Sequence, residues 1–306
     1  KGFKHRNNLT YTNIPFMVSL TGAWRHAYAG AVGFAGGTCV GLVGWGGAQF
    51  IIPGMTHPLM GLSQLAATGV SLCSLSVSTV MGAANFVMND SVSLATAAMI
   101  ALPSIATARL GATLAARMSE EVLQLAFNGA SVLLIPTHLL VQRYAAQRDA
   151  EGSPRLVRTT SESFQKMHTW QPSASSTLAM HSAFGCVSGV ISAIMGVGGL
   201  PLTMSYLTVC TPLPHHLVQG TAVLAVAPSA ITSALSRVSV IPPVSAAAVT
   251  AGAMGGAAVG ASAALRTPEE QLRQLYIASL VVLGGRSFVR ASQNLRSIWA
   301  AHRRRS

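Results

Sequence analysis

The chain has 306 residues, half of them hydrophobic and only 9% charged, with a mean hydropathy of +0.48. Soluble domains carry about a quarter charged residues, so this composition excludes an ordinary globular protein. It defines a polytopic membrane protein of the all-α class, expected to be a transmembrane helical bundle. The net charge of +12 is unevenly placed and bears on topology; no nucleic-acid partner is expected.

Residues 1–26 form a basic N-terminal extension. The chain does not begin with Met, and Arg outnumbers Lys 17 to 3. That bias suits the mature end of a protein whose mitochondrial presequence has been cut, or simply a GC-rich genome. An inner mitochondrial membrane with both termini in the matrix is one expectation; a bacterial plasma membrane with cytoplasmic termini is the alternative.

Eight apolar windows of bilayer length follow, near 27–52, 62–88, 92–116, 122–141, 178–210, 217–235, 244–265 and 272–285. The first contains a glycine-dense, uncharged run from Gly33 to Pro53, echoed from Gly185 onward. Gly37, Gly44, Gly46 and Gly47 precede Gly189, Gly196, Gly198 and Gly199 by 152 positions. Such glycines let helices pack closely, as along a G-x-x-x-G face, or let the backbone leave helical geometry to line a site.

The segment after Ala66-Ala67-Thr68 is rich in Ser, Thr and Gly. Its hydroxyls can bind an anion, or satisfy carbonyls of their own helix. Asp90 reads as a polar loop or a helix cap. Arg117-Met118-Ser119-Glu120-Glu121 and Arg266-Thr267-Pro268-Glu269-Glu270 both read as helix starts, with carboxylates on the positive end of the macrodipole. These stretches are 149 apart, which extends the echo over two units of four helices each. The resulting domains are a transmembrane repeat over 27–142, a polar linker over 143–177, a second repeat over 178–285 and a basic amphipathic segment over 286–306.

If every window crosses once, the two units run parallel; a glycine segment that turns back would invert them. The single-crossing count puts sixteen Lys and Arg residues on the side of the termini and linker, Arg237 among them. It leaves four opposite, Arg109, Arg117, Arg266 and Arg273.

Cys39, Cys73, Cys186 and Cys210 show no metal or redox spacing, and the adjacent His215 and His216 lack a third ligand type nearby. His138 and His181 lie in or near apolar spans, where an ionisable group is a functional candidate. No cofactor is expected. There is no phosphate loop, G-x-S-x-G elbow or H-E-x-x-H, so no enzyme is expected either.

The duplicated halves, the G-x-G-G-x-x-x-x-x-P pattern at Gly44 to Pro53 and the Ala-Thr pair after it resemble the TauE/SafE family of membrane permeases. The resemblance implies a permease for a small anion such as sulfite or an organosulfonate. Its substrate-facing groups would be the backbone at Gly44, Gly46, Gly47, Gly196, Gly198 and Gly199 and the hydroxyls of Thr68 and Thr221. The pattern departs from the family's at Ala48 and Leu200, which stand at the third glycine, and at Ser205, which stands at the proline. Thr68-Gly69 and Thr221-Ala222 lack the following serine. These departures motivate an alternative, a transporter fold kept as a non-transporting accessory subunit of a larger inner-membrane respiratory complex. The C-terminal arginines Arg286, Arg290, Arg296, Arg303, Arg304 and Arg305 are expected to contact anionic lipid or an acidic partner subunit.

Overall fold

The structure, a computed structural model, describes residues 22–132 and 175–268 apart from 212, with residue 140 and scattered positions between 270 and 292. Eight helices can be given bounds: α1 Gly22–Val43, α2 Ala48–Met55, α3 Gln64–Met88, α4 Leu94–Arg117, α5 Ser175–Met195, α6 Leu200–Cys210, α7 His215–Leu235 and α8 Pro243–Arg266. Residues 120–132 are also helical, and no strand occurs among the described residues. Six helices, α1, α3, α4, α5, α7 and α8, are long and apolar enough to cross a bilayer. The all-α membrane bundle is therefore correct. Windows 122–141 and 272–285 lie partly outside the described residues.

Windows 27–52 and 178–210 are not single crossings. Each is a long helix, a glycine break and a short helix that runs back along the first. In the first hairpin Gly54 lies against Val32, and the Tyr28 and His57 rings sit 6.4 Å apart. Arg25 at the start of α1 donates from Nη2 to the Met60 carbonyl at 3.1 Å. In the second, Tyr206 stacks on Phe184 at 3.9 Å and meets His181 Nδ1 through its hydroxyl at 2.5 Å. The Ser188 and Thr203 hydroxyls pair across it at 3.5 Å.

Because each hairpin turns back, α3 starts at the end where α1 starts and runs antiparallel to α7. Thr68 lies beside Arg237, Gly82 beside Val223, and Phe86 beside Gly220. The halves thus face each other inverted, which corrects the parallel arrangement that single crossings imply. The charge count changes with it. The end of α4 returns to the α1-start end, where the Glu120 carboxylate accepts the Gln64 N–H at 2.7 Å. Arg117 therefore belongs with Arg25 rather than opposite it.

Helix starts are capped much as their sequences imply. Ser63 Oγ accepts from the Ala66 N–H at 3.3 Å and Ser119 Oγ from the Val122 N–H at 3.4 Å. Glu120 does more than favour its own helix, since its carboxylate also occupies the N-terminus of α3. Asp90 takes a left-handed conformation, φ 52°, in the turn that ends α3, a conformation that Asp tolerates better than most residues.

Packing between the helices is backbone on backbone. α1 lies parallel to α8, with Gly33, Gly37 and Gly41 set against Val249, Ala253 and Ala257, and Gly252, Gly256 and Gly260 set against Gly30, Phe34 and Thr38. α4 meets α5 in the same way through Gly111, Gly185 and Gly189. Lipid supplies no hydrophobic drive between helices, so close approach of this kind is what holds them. Both readings of the glycine run are realised, by different glycines: those up to Gly41 pack helices, and those from Gly44 break them.

Candidate functional site at the meeting of the glycine breaks

The hairpins enter from opposite ends, and their breaks touch. A Cβ at Gly46 would lie 2.6 Å from the Val197 carbonyl oxygen. The two G-x-G-G breaks share spacing but not conformation. Gly44 and Gly196 are both left-handed, at φ 69° and 72°, yet only the second break continues so, with Gly198 and Gly199 at 73°. Gly47 instead sits at φ −58°.

The two breaks also differ in one backbone donor. In the first break the Gln49 N–H reaches back to the Gly46 carbonyl and Phe50 N–H to that of Gly47. Pro201 stands at the position 152 after Gln49 and has no N–H to give. The second break is left more open. The N–H groups of Gly46, Gly47, Gly198 and Gly199 find no acceptor among the described residues.

Each long helix ends at its break with carbonyls that no further turn can satisfy. The Gln219 amide donates to the Gly41 carbonyl at 2.7 Å. At the equivalent place 152 residues later, the Ala193 carbonyl accepts from Arg237 Nη2. Arg237 Nη1 also donates to Thr68 Oγ1 at 2.8 Å, while Thr68 donates to the Leu65 carbonyl at 2.8 Å. Thr68 in turn packs on Gly196, whose carbonyl accepts from Ser71 Oγ at 2.8 Å.

Arg237 reads from sequence as a topology charge, but it is only 3% exposed. No carboxylate among the described residues pairs with it, and its Nε has no partner. A guanidinium stays protonated in proteins, so the buried group is a charge. A buried, unpaired ion costs several kcal/mol. The negative end of α5 offsets up to about 2 kcal/mol of that.

Thr221 occupies a different setting from Thr68. Its hydroxyl accepts the Ser93 N–H at 2.9 Å, at the start of α4. Gln219, two residues earlier, is the side chain that reaches the first break, where Gly44 also meets Met204. Most other hydroxyls of α3 bond within the helix, as Ser76 does to Leu72 and Thr79 to Leu75. The arginines from Arg286 to Arg305 lie outside the described residues, as does His138.

Sequence reading missed Gln219 and Arg237 as site residues. A signal existed for the arginine: it is the single charged residue between Lys166 and Arg266. A lone cation in so long an apolar stretch is functional by default.

Two inverted re-entrant hairpins whose glycine breaks meet inside a helical bundle define a membrane protein of the transporter-fold class. The family comparison makes this specific. The family model "Sulfite exporter TauE/SafE" matches residues 16–287, nearly the whole chain, and the protein belongs to that family. Comparison with curated proteins yields no match, and neither does comparison with solved structures.

Proposed function

We propose that the protein is a permease for a small anion of the sulfite or organosulfonate type. The observation that carries this reading is the contact of the two breaks, which gathers unsatisfied backbone N–H groups at the N-termini of two short helices. Such groups attract anions, because free N–H groups and the helix dipole both favour negative charge there. In this reading the backbone at Gly44, Gly46, Gly47, Gly196, Gly198 and Gly199 faces the substrate. Thr68 belongs to the junction, and Thr221 stands at the start of α4.

The test is sulfite flux into proteoliposomes. A hydrogen bond to a charged group contributes about 1.5–3 kcal/mol, so Thr68→Val combined with Thr221→Val should lower flux roughly tenfold or more. Unchanged flux in the double variant removes both hydroxyls from the mechanism.

We propose that the basic segment 286–306 contacts anionic lipid or an acidic partner surface. Arginine near such a surface contributes about 1 kcal/mol each, so replacing Arg303, Arg304 and Arg305 by Gln should weaken retention on cardiolipin vesicles while leaving membrane insertion intact. Retention at the wild-type level would reduce the segment to a topology signal.

A further inference from the structure

We infer that Arg237 is the residue that selects the charge of the transported species: its guanidinium supplies the fixed positive charge that an oxyanion neutralises at the second glycine break. The inference rests on the permease reading and adds a residue that the motif does not contain. Its ground is an imbalance. Arg237 is buried, uses two of its five N–H donors and has an unpartnered Nε. No carboxylate answers its charge among the described residues, and the dipole of α5 offsets only part of it.

The neighbourhood is also prepared for an acceptor. Gly198 and Gly199 keep their N–H groups free of acceptors among the described residues, and Gly199 lies against Ser188 and Ser192. Ser192 Oγ is buried without a partner. Thr68 holds the guanidinium from one side, since its hydroxyl accepts from Nη1 and is anchored by its own bond to Leu65. A planar guanidinium with several donors left over suits an oxyanion with several acceptor oxygens.

The competing account makes Arg237 only a cap for the Ala193 carbonyl. The chain itself contains the control, because at the first break the matching carbonyl of Gly41 is capped by a neutral amide, Gln219. Arg237→Gln therefore brings the second junction to the chemistry of the first. Arg237→Lys keeps the charge and loses the fork.

Full-length protein in uncharged detergent is heated with increasing sulfite, with chloride at matched ionic strength as the reference, and flux is measured in parallel. Wild type should be stabilised by sulfite in a saturable way. Arg237→Gln should unfold as one cooperative species, lose that stabilisation and raise KM for sulfite at least tenfold, while Arg237→Lys keeps a weakened response. Sulfite stabilisation and KM retained in Arg237→Gln overturn the inference and leave the permease reading standing. Wild type that neither responds to sulfite nor transports it overturns the permease reading, and the inference with it. No response to sulfite, with stabilisation by cardiolipin that Arg237→Gln loses, assigns Arg237 to a lipid phosphate and overturns the inference as well. If Arg237→Gln does not fold, wild type decides: stabilisation by the uncharged dimethyl sulfone equal to that by sulfite also overturns it.

Discussion

Gly37→Ala should destabilise the protein strongly, whereas Gly255→Ala, on the facing helix, should stabilise it slightly. The two glycines look alike in sequence, both in apolar helices dense with small residues. In space they differ. A Cβ at Gly37 would fall inside contact distance of the Ala253 carbonyl, well under the 3.0 Å that real Cβ atoms respect. The obstacle is backbone, so α1 and α8 must part, and the contacts at Gly33, Gly41, Gly252, Gly256 and Gly260 loosen with them. Overpacking of this kind costs about 1–3 kcal/mol and occasionally more, a large share of a native stability of about 5–15 kcal/mol. At Gly255 the nearest atom beyond its own helix is Phe34 Cδ2 at 3.9 Å, an ordinary contact. There the helix preference for Ala over Gly, about 0.8–1 kcal/mol, acts alone. Thermal unfolding in detergent reads both, and a Gly37→Ala variant as stable as wild type would mean that α1 and α8 do not pack backbone on backbone.

Much of this fold is legible before any coordinates, because apolar length and low charge dictate membrane helices and the glycine spacing repeats. The hairpins are not legible in the same way. A window such as 27–52 has the length of one long crossing, and hydropathy carries no sign for direction. The turn back depends on contacts such as Gly54 on Val32, which no periodicity announces. Thr68 is legible from its place after the motif. Gln219 is not legible, because an amide in an apolar window has no charge to mark it, and Arg237 reads as a loop charge. The different conformations of two identical G-x-G-G spacings accompany Gln49 against Pro201, a difference visible in the sequence once one asks which residue can donate the next hydrogen bond.

Gly46→Ala should abolish transport, and no change to the Val197 side chain should restore it. The added methyl would sit 2.6 Å from the Val197 carbonyl oxygen and 3.2 Å from its Cγ1. Val197→Ala removes the second obstacle and leaves the first, so the double variant should behave like Gly46→Ala. The breaks would separate where the two hairpins meet, moving the N–H groups of Gly198 and Gly199 away from those of Gly46 and Gly47. A misplacement of about 1 Å is enough to cost a preorganised site of the order of a hundredfold in rate. Stability should fall less than for Gly37→Ala, since the junction is one contact and the α1–α8 seam is many. Sulfite flux measured beside the unfolding midpoint separates the two effects. A Gly46→Ala protein that is folded and transports at the wild-type rate would remove the contact of the breaks from the mechanism, and full rescue by Val197→Ala would show that the side chain, not the backbone, sets the spacing.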